Sequence, residues 1–182
     1  VTSAETNSSP LDISATPAPA DVDQERADLL QTLAAHRGFL RFTARGLTDE
    51  QAGQKSTVSA LSVGGLIKHV TATESAWYRF MMGGPDLMMS EVGDWEDEHR
   101  MNPGEKIEDF LARYEEVGKR TDEFVRTADL DKIWPLPVAP WFEPGGTRSI
   151  RRVVLHLIAE TSQHSGHADI IRESIDGQRT MG

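Results

Sequence analysis

The 182-residue sequence contains no cysteine. That excludes disulfides, thiolate-ligated zinc and a cysteine nucleophile, so any reactive sulfur must come from a bound partner. No apolar run approaches the length of a membrane span, and the opening residues lack the basic and apolar regions of a signal peptide. The expected location is the cytoplasm, with no membrane partner. Basic residues are outnumbered, 19 Lys and Arg against 29 Asp and Glu, for a net charge of −10 with histidine neutral, and they form no cluster. A chain of that charge is a poor match for nucleic acid, so none is expected. A Gly-rich phosphate loop, a sustained alternating strand pattern and an internal repeat are also missing.

What is present is helical periodicity. Residues 1–22, opening VTSAETNSSPLDISATPAPA, are rich in Ser, Thr, Ala and Pro. They hold too little apolar surface to offset their ordering entropy and read as a disordered tail. Residues 23–178 make one domain, long enough to bury a full core, and 179–182 a short closing tail. The first helix is expected over about Asp23–Arg45, with Leu29, Leu30, Leu33, Leu40 and Thr43 as its buried stripe. Thr48-Asp49-Glu50-Gln51 has the form of a capping box and opens a short helical turn.

The second helix is expected over about Ser62–Met82, stopped by Gly83-Gly84-Pro85. Residues 83–103 then form a long Met-rich connection, read either as packing over the bundle end or as an adaptable lid. Asn102-Pro103-Gly104-Glu105 has the pattern of N-cap, proline at N1 and glutamate at N3, which predicts a third helix over about Pro103–Thr127. Ile133–Gly146, IWPLPVAPWFEPGG, has too many prolines for helix or central strand; its aromatics suit a pocket wall or packing on the bundle end. Four long helices make a four-helix bundle the expected all-α fold.

The fourth helix, Ser149–Ile175, is the anomalous one. Val153, Leu157, Thr161, Ala168, Ile171 and Ile175 line its apolar face. Yet His156, Glu160, His164 and His167 fall within roughly 80° of one another on a helical wheel, in an arc that overlaps that face. Ionisable groups facing a core are costly unless paired or bound to something. Glu160 and His164, one turn apart, can aim at one metal ion. His69 lies on the core face of the second helix, where a lone histidine reads either as a hydrogen-bonded core residue or as a further ligand. Glu74, five residues on, can orient such a ligand from behind or pair with Arg79. His36 reads as half-buried or surface, and His99, on a polar loop, as exposed.

SVGGLIKHVTATESAWYRFMMGG together with VVLHLIAETSQHSGHADIIRESIDG resembles the DinB-like (YfiT-like) superfamily, in particular its actinobacterial branch that includes mycothiol S-transferases. The likeness spans roughly residues 25–178, and ETSQHSGHADIIRESIDG is its most specific part. It implies an up-down-down-up bundle with the long crossover between helices two and three. It implies a divalent metal on His69, Glu160 and His164. Many DinB-like members carry histidine where Glu160 stands; glutamate there is similar to the N-terminal domain of mycothiol-dependent maleylpyruvate isomerase. The ion would be zinc, with nickel, iron or manganese also suited to such ligands. The implied cosubstrate is mycothiol or another small thiol, whose sulfur attacks a small electrophile in a detoxifying S-transfer. His156 and His167 are the candidates for catalytic or positioning work, and Trp141, with Phe142, for the wall of the thiol or electrophile pocket. A homodimer is compatible with all of this. Two other classes stay open: a metal-binding bundle without turnover that serves stress response or sensing, and a structural domain whose polar stripe is internally hydrogen-bonded.

Overall fold

Caps written in the sequence set most helix starts. In the computed structural model residues 23–91, 93 and 95–180 are described, and the order of elements is α1 (Gln24–Thr43), α2 (Asp49–Ala52), α3 (Val63–Met88), α4 (Trp95–Glu98), α5 (Ile107–Thr127), β1 (Ile133–Pro135), β2 (Thr147–Ser149) and α6 (Ile150–Asp176). The all-α expectation holds. The expected tail over residues 1–22 and the final Met181 and Gly182 lie outside the described residues. Asp23, Thr48, Ser62 and Ser149 each accept a hydrogen bond from an amide of the first turn, and Thr48 and Gln51 close a reciprocal capping box. Gly177, at φ 77°, ends α6 in the left-handed conformation that glycine adopts without penalty. Among the described residues no helix is long and apolar enough to cross a membrane.

Two boundaries differ from the sequence expectation. α5 begins at Ile107 rather than Pro103, because Gly104 adopts φ 89° and the Asn102–Glu105 stretch closes a turn instead. The Glu105 carboxylate accepts from the Asn102 amide at 2.6 Å and from Lys68 at 2.9 Å, while Asp49, from α2, accepts from the amide of Ile107 at 3.0 Å. A tertiary contact thus replaces the local cap. α3 does not stop at Gly83: after a break at Gly84 (φ 78°, ψ −159°) one more helical turn carries it to Met88.

Gly84 is required there for two reasons. Its backbone lies in a region nearly exclusive to glycine, and a Cβ would meet the Trp134 ring at 2.8 Å. Trp134 also donates from Nε1 to the Met81 carbonyl at 3.2 Å. Gly84→Ala is therefore expected to destabilise by about 1–3 kcal/mol, measured as a lower urea midpoint with unchanged slope.

Contacts at matched heights give the relative directions of the long helices. Arg26 donates to the carbonyls of Val125 and Ala128 while Arg41 pairs with Glu115, so α1 and α5 are antiparallel. Arg151 reaches Glu25, Ser165 the His36 carbonyl, and Arg172 the carbonyls of Thr43 and Arg45, so α1 and α6 run together. α3 packs against both α5 and α6. Arg172, almost fully buried, thereby supplies a donor to the last carbonyl of α1, that of Thr43, from a neighbouring helix.

The core falls into two apolar clusters. One is built around Leu33, Trp77, Phe80, Val153 and Leu157, the other around Leu40, Leu66, Val70, Tyr114 and Ala168. Between them along the helices sit the buried polar residues Arg37, Glu74 and Thr161. Arg37 Nε donates to Glu74 at 3.1 Å, its Nη2 donates to the other Glu74 oxygen, and its Nη1 donates to Asp122 at 2.8 Å. Burial works against the Arg37 charge, but the Glu74 and Asp122 carboxylates outweigh it and hold the guanidinium protonated. Glu74 accordingly neither orients His69 nor pairs with Arg79, whose guanidinium goes to Ser75 and Glu91. The Ile133–Gly146 stretch opens with β1, which pairs antiparallel with β2, leaving Trp141 and Phe142 on the loop between them.

Candidate metal centre and adjoining cleft

Helix pitch places Glu160 and His164 one above the other on α6, and α3 delivers His69 across from them. The Nε2 atoms of His69 and His164 lie 3.2 and 3.1 Å from the same oxygen, Oε1 of Glu160. One donor atom from each of the three residues lies within 4.8 Å of the others, the single such cluster among the described residues. The three side chains are 14–18% exposed, so the cluster is sheltered yet reachable from solvent. Hydrogen bonding with His164 and then His69 holds the Glu160 carboxyl well below the usual carboxylate range, against the opposing effect of burial. Glu160 is thus anionic at neutral pH, and two neutral imidazoles with one carboxylate are a fitting donor set for a divalent cation.

The remaining candidates take up distinct places. His167 Nδ1 stands 3.4 Å from Nδ1 of His164, on the side of that ring turned away from Glu160. A partner in that position fixes the rotation of an imidazole and leaves its other nitrogen free to coordinate. His156 lies a turn before Glu160, edge-on to Trp77 with ring centroids 5.0 Å apart, and burial lowers its pKa. His36 packs edge-on to Phe39 on α1 and is not among the clustered residues.

A cleft of about 1230 Å³ adjoins the cluster, reaching it at His69. His156, Trp77, Phe142 and Trp141 line it, and Met88 and Met89 contribute from the end of α3. Trp77 and Phe142 meet edge-to-face at 5.9 Å, and Phe142 meets Trp141 at 6.2 Å. Trp141 itself is 74% exposed, which makes it a flap at the mouth rather than part of the core. The loop thus serves both readings of its aromatics: Trp134 packs on the bundle and Trp141 and Phe142 wall the cleft.

Sequence reasoning missed His99. Expected to be exposed, it is half-buried, with its ring stacked on His69 at a centroid distance of 4.0 Å and an interplanar angle of 27°. The signal was Gly64-Gly65: a Cβ on Gly65 would come within 2.3 Å of the His99 carbonyl, and one on Gly64 within 2.6 Å of the Met101 sulfur. Two adjacent glycines on a helix mark a close approach by another segment.

Comparison with known proteins agrees with this architecture. A family model described as mycothiol-S-transferase matches residues 28–177. A solved structure of a conserved protein from Enterococcus faecalis superposes with a TM-score of 0.59 at 17% identity, covering 82% of this chain and 96% of that one. At that identity the likeness speaks for the fold alone. No curated protein sequence matches significantly.

Proposed function

Since the chain belongs to the mycothiol-S-transferase family, we propose that it is a metal-dependent S-transferase joining a small thiol, mycothiol in the first instance, to a small electrophile. The observation that carries the metal dependence is the convergence of His69, Glu160 and His164 beside a large, partly aromatic cleft. With no cysteine in the chain, the sulfur belongs to a cosubstrate. A divalent ion held by the three residues, zinc by preference, supplies the positive charge that keeps a neighbouring thiol ionised at neutral pH.

The chain's own groups do the rest. Glu160 offers one negative charge, so the site retains net positive charge once a dication is bound, and His167 sets the rotation of His164. His156, whose half-buried position disfavours its charged form, accepts the thiol proton. The sulfur then forms a bond to the electrophilic carbon, and the proton on His156 passes to the leaving group or, in an addition, to the product. Trp77, Phe142 and Trp141 supply the apolar wall against which the electrophile lies. The cytoplasm, where small thiols are kept reduced, is the fitting compartment.

Elemental analysis of protein purified without an affinity tag is expected to find about one divalent ion per chain. After cobalt substitution, titration with mycothiol should raise a sulfur-to-cobalt charge-transfer band that is absent in His69→Ala. If no thiol changes the cobalt spectrum at concentrations of about 1 mM, the top of the usual KM range, the transferase reading fails. A metal-binding bundle that senses rather than turns over then replaces it.

A further inference from the structure

Both histidines in the cluster turn Nε2 to Glu160, but only one has a hydrogen-bond partner at its other ring nitrogen. His164 has His167 at its Nδ1, whereas Nδ1 of His69 is buried with no hydrogen-bond partner among the described residues. A metal-binding imidazole normally needs such a partner to hold its orientation. His69 instead lies flat against His99, in a stack far closer to parallel than its 81° edge contact with His164. The loop that brings His99 there is clamped to α3. Lys68 pairs with Asp97 at 3.0 Å and with Glu105 at 2.9 Å, and Asn102 donates to Asp97. Gly64 and Gly65 let the 99–101 backbone come within reach of the helix.

We propose that His99 is a positioning residue for the cluster: carried by the clamped crossover loop, its ring lies on His69 and holds Nε2 aimed at the point where Glu160 and His164 also converge. The inference rests on the metal-binding reading above. It assigns the crossover segment a task beyond connecting α3 to α5. Lys68, one residue before His69, is the anchor of that task, since its two carboxylate partners lie on either side of His99 in the sequence.

The test compares metal affinity, by competition with a chromophoric chelator, and the cobalt d–d spectrum in the parent protein, His99→Ala, His99→Phe and Gly65→Ala. The expected result is an affinity loss of about 10-fold in His99→Ala, with an altered d–d spectrum and an unchanged unfolding midpoint of the metal-free protein. His99→Phe keeps a flat ring without ring nitrogens and should restore most of the affinity. Gly65→Ala pushes the loop away and should behave as His99→Ala does. If the parent binds metal and His99→Ala binds it equally tightly with the same spectrum, the inference is overturned. It is overturned as well if His99→Phe binds as weakly as His99→Ala. A parent protein that binds no metal fails the proposed function itself, which is a separate outcome.

Discussion

His164→Ala is expected to be recovered without metal and to be markedly less stable than the metal-loaded parent. Two residues, His69 and Glu160, remain of the three whose donor atoms converge. The affinity loss should exceed the roughly 10–100-fold that follows removal of an outer partner alone. At free metal about 1,000-fold above Kd, a bound ion adds about 4 kcal/mol to the folded state, and the variant forfeits all of it. The metal-free proteins should differ too, in a way that pH reveals. The Glu160 carboxyl is depressed first by its hydrogen bond with His164 and next by that with His69. A depressed carboxylate contributes stability that is fully present above its unfolded value, about 4.3, and lost as pH falls below it. Removing His164 takes away the larger of the two bonds. Metal-free His164→Ala should therefore lose less stability than the metal-free parent as pH falls from about 5 towards 2, with the difference greatest at the acid end, read from urea midpoints. His36→Ala should match the parent in metal content. Stoichiometric metal in His164→Ala would remove this residue from the site and make His167 and His156 the next to test.

Glu74→Ala should cost about 3 kcal/mol, the low end of the range for breaking a buried ion pair. The Glu74 and Arg37 side chains are 1% and 9% exposed, so removing the carboxylate strands a guanidinium in the core with only the more accessible Asp122 beside it. For a chain of this size the loss corresponds to about 6–12 °C in melting temperature. Arg37→Met combined with Glu74→Leu should recover most of it, because an apolar pair avoids the desolvation that the ion pair only offsets. Metal content should stay the same in both variants, since among the described residues Glu74 makes its hydrogen bonds to Arg37 and none to His69, Glu160 or His164. A loss below about 1 kcal/mol, the scale of an exposed pair, would mean that Arg37 is held by Asp122 alone.

The helices and the α6 cluster were legible because both are local. Ser62, Ser149 and Gly177 mark ends through bonds made within a turn, and the spacing of Glu160 and His164 follows from helix pitch. What stayed hidden depends on residues distant in the sequence. The local pattern at Asn102–Glu105 promised a cap, but Lys68 engages Glu105 and Asp49 takes the Ile107 amide. Glu74 offered Arg79 as a partner on its own helix, while its actual partner lies 37 residues upstream on α1. At 500° of helical rotation from His69, Glu74 points well away from that residue, which the wheel alone could have shown. Arg37 sits between Leu33 and Leu40 on the buried stripe of α1, so its burial was readable but its two acidic partners were not.

The Arg37 ion layer has a consequence for alignment. A single side chain from α1 grips α3 and α5 at one height. Sliding α3 by one turn, about 5.4 Å, would set Val70 or Trp77 against the guanidinium and drive the Glu74 carboxylate into an apolar cluster. The helix therefore has one low-energy notch rather than a series of near-equivalent ones. His69 travels with Glu74 on α3, so the same notch fixes its axial position. Across the bundle, Arg172 and Ser165 tie α6 to α1 at two further heights. Through α1 as a common ruler, the two helices that carry His69, Glu160 and His164 are indexed to each other by protein contacts alone.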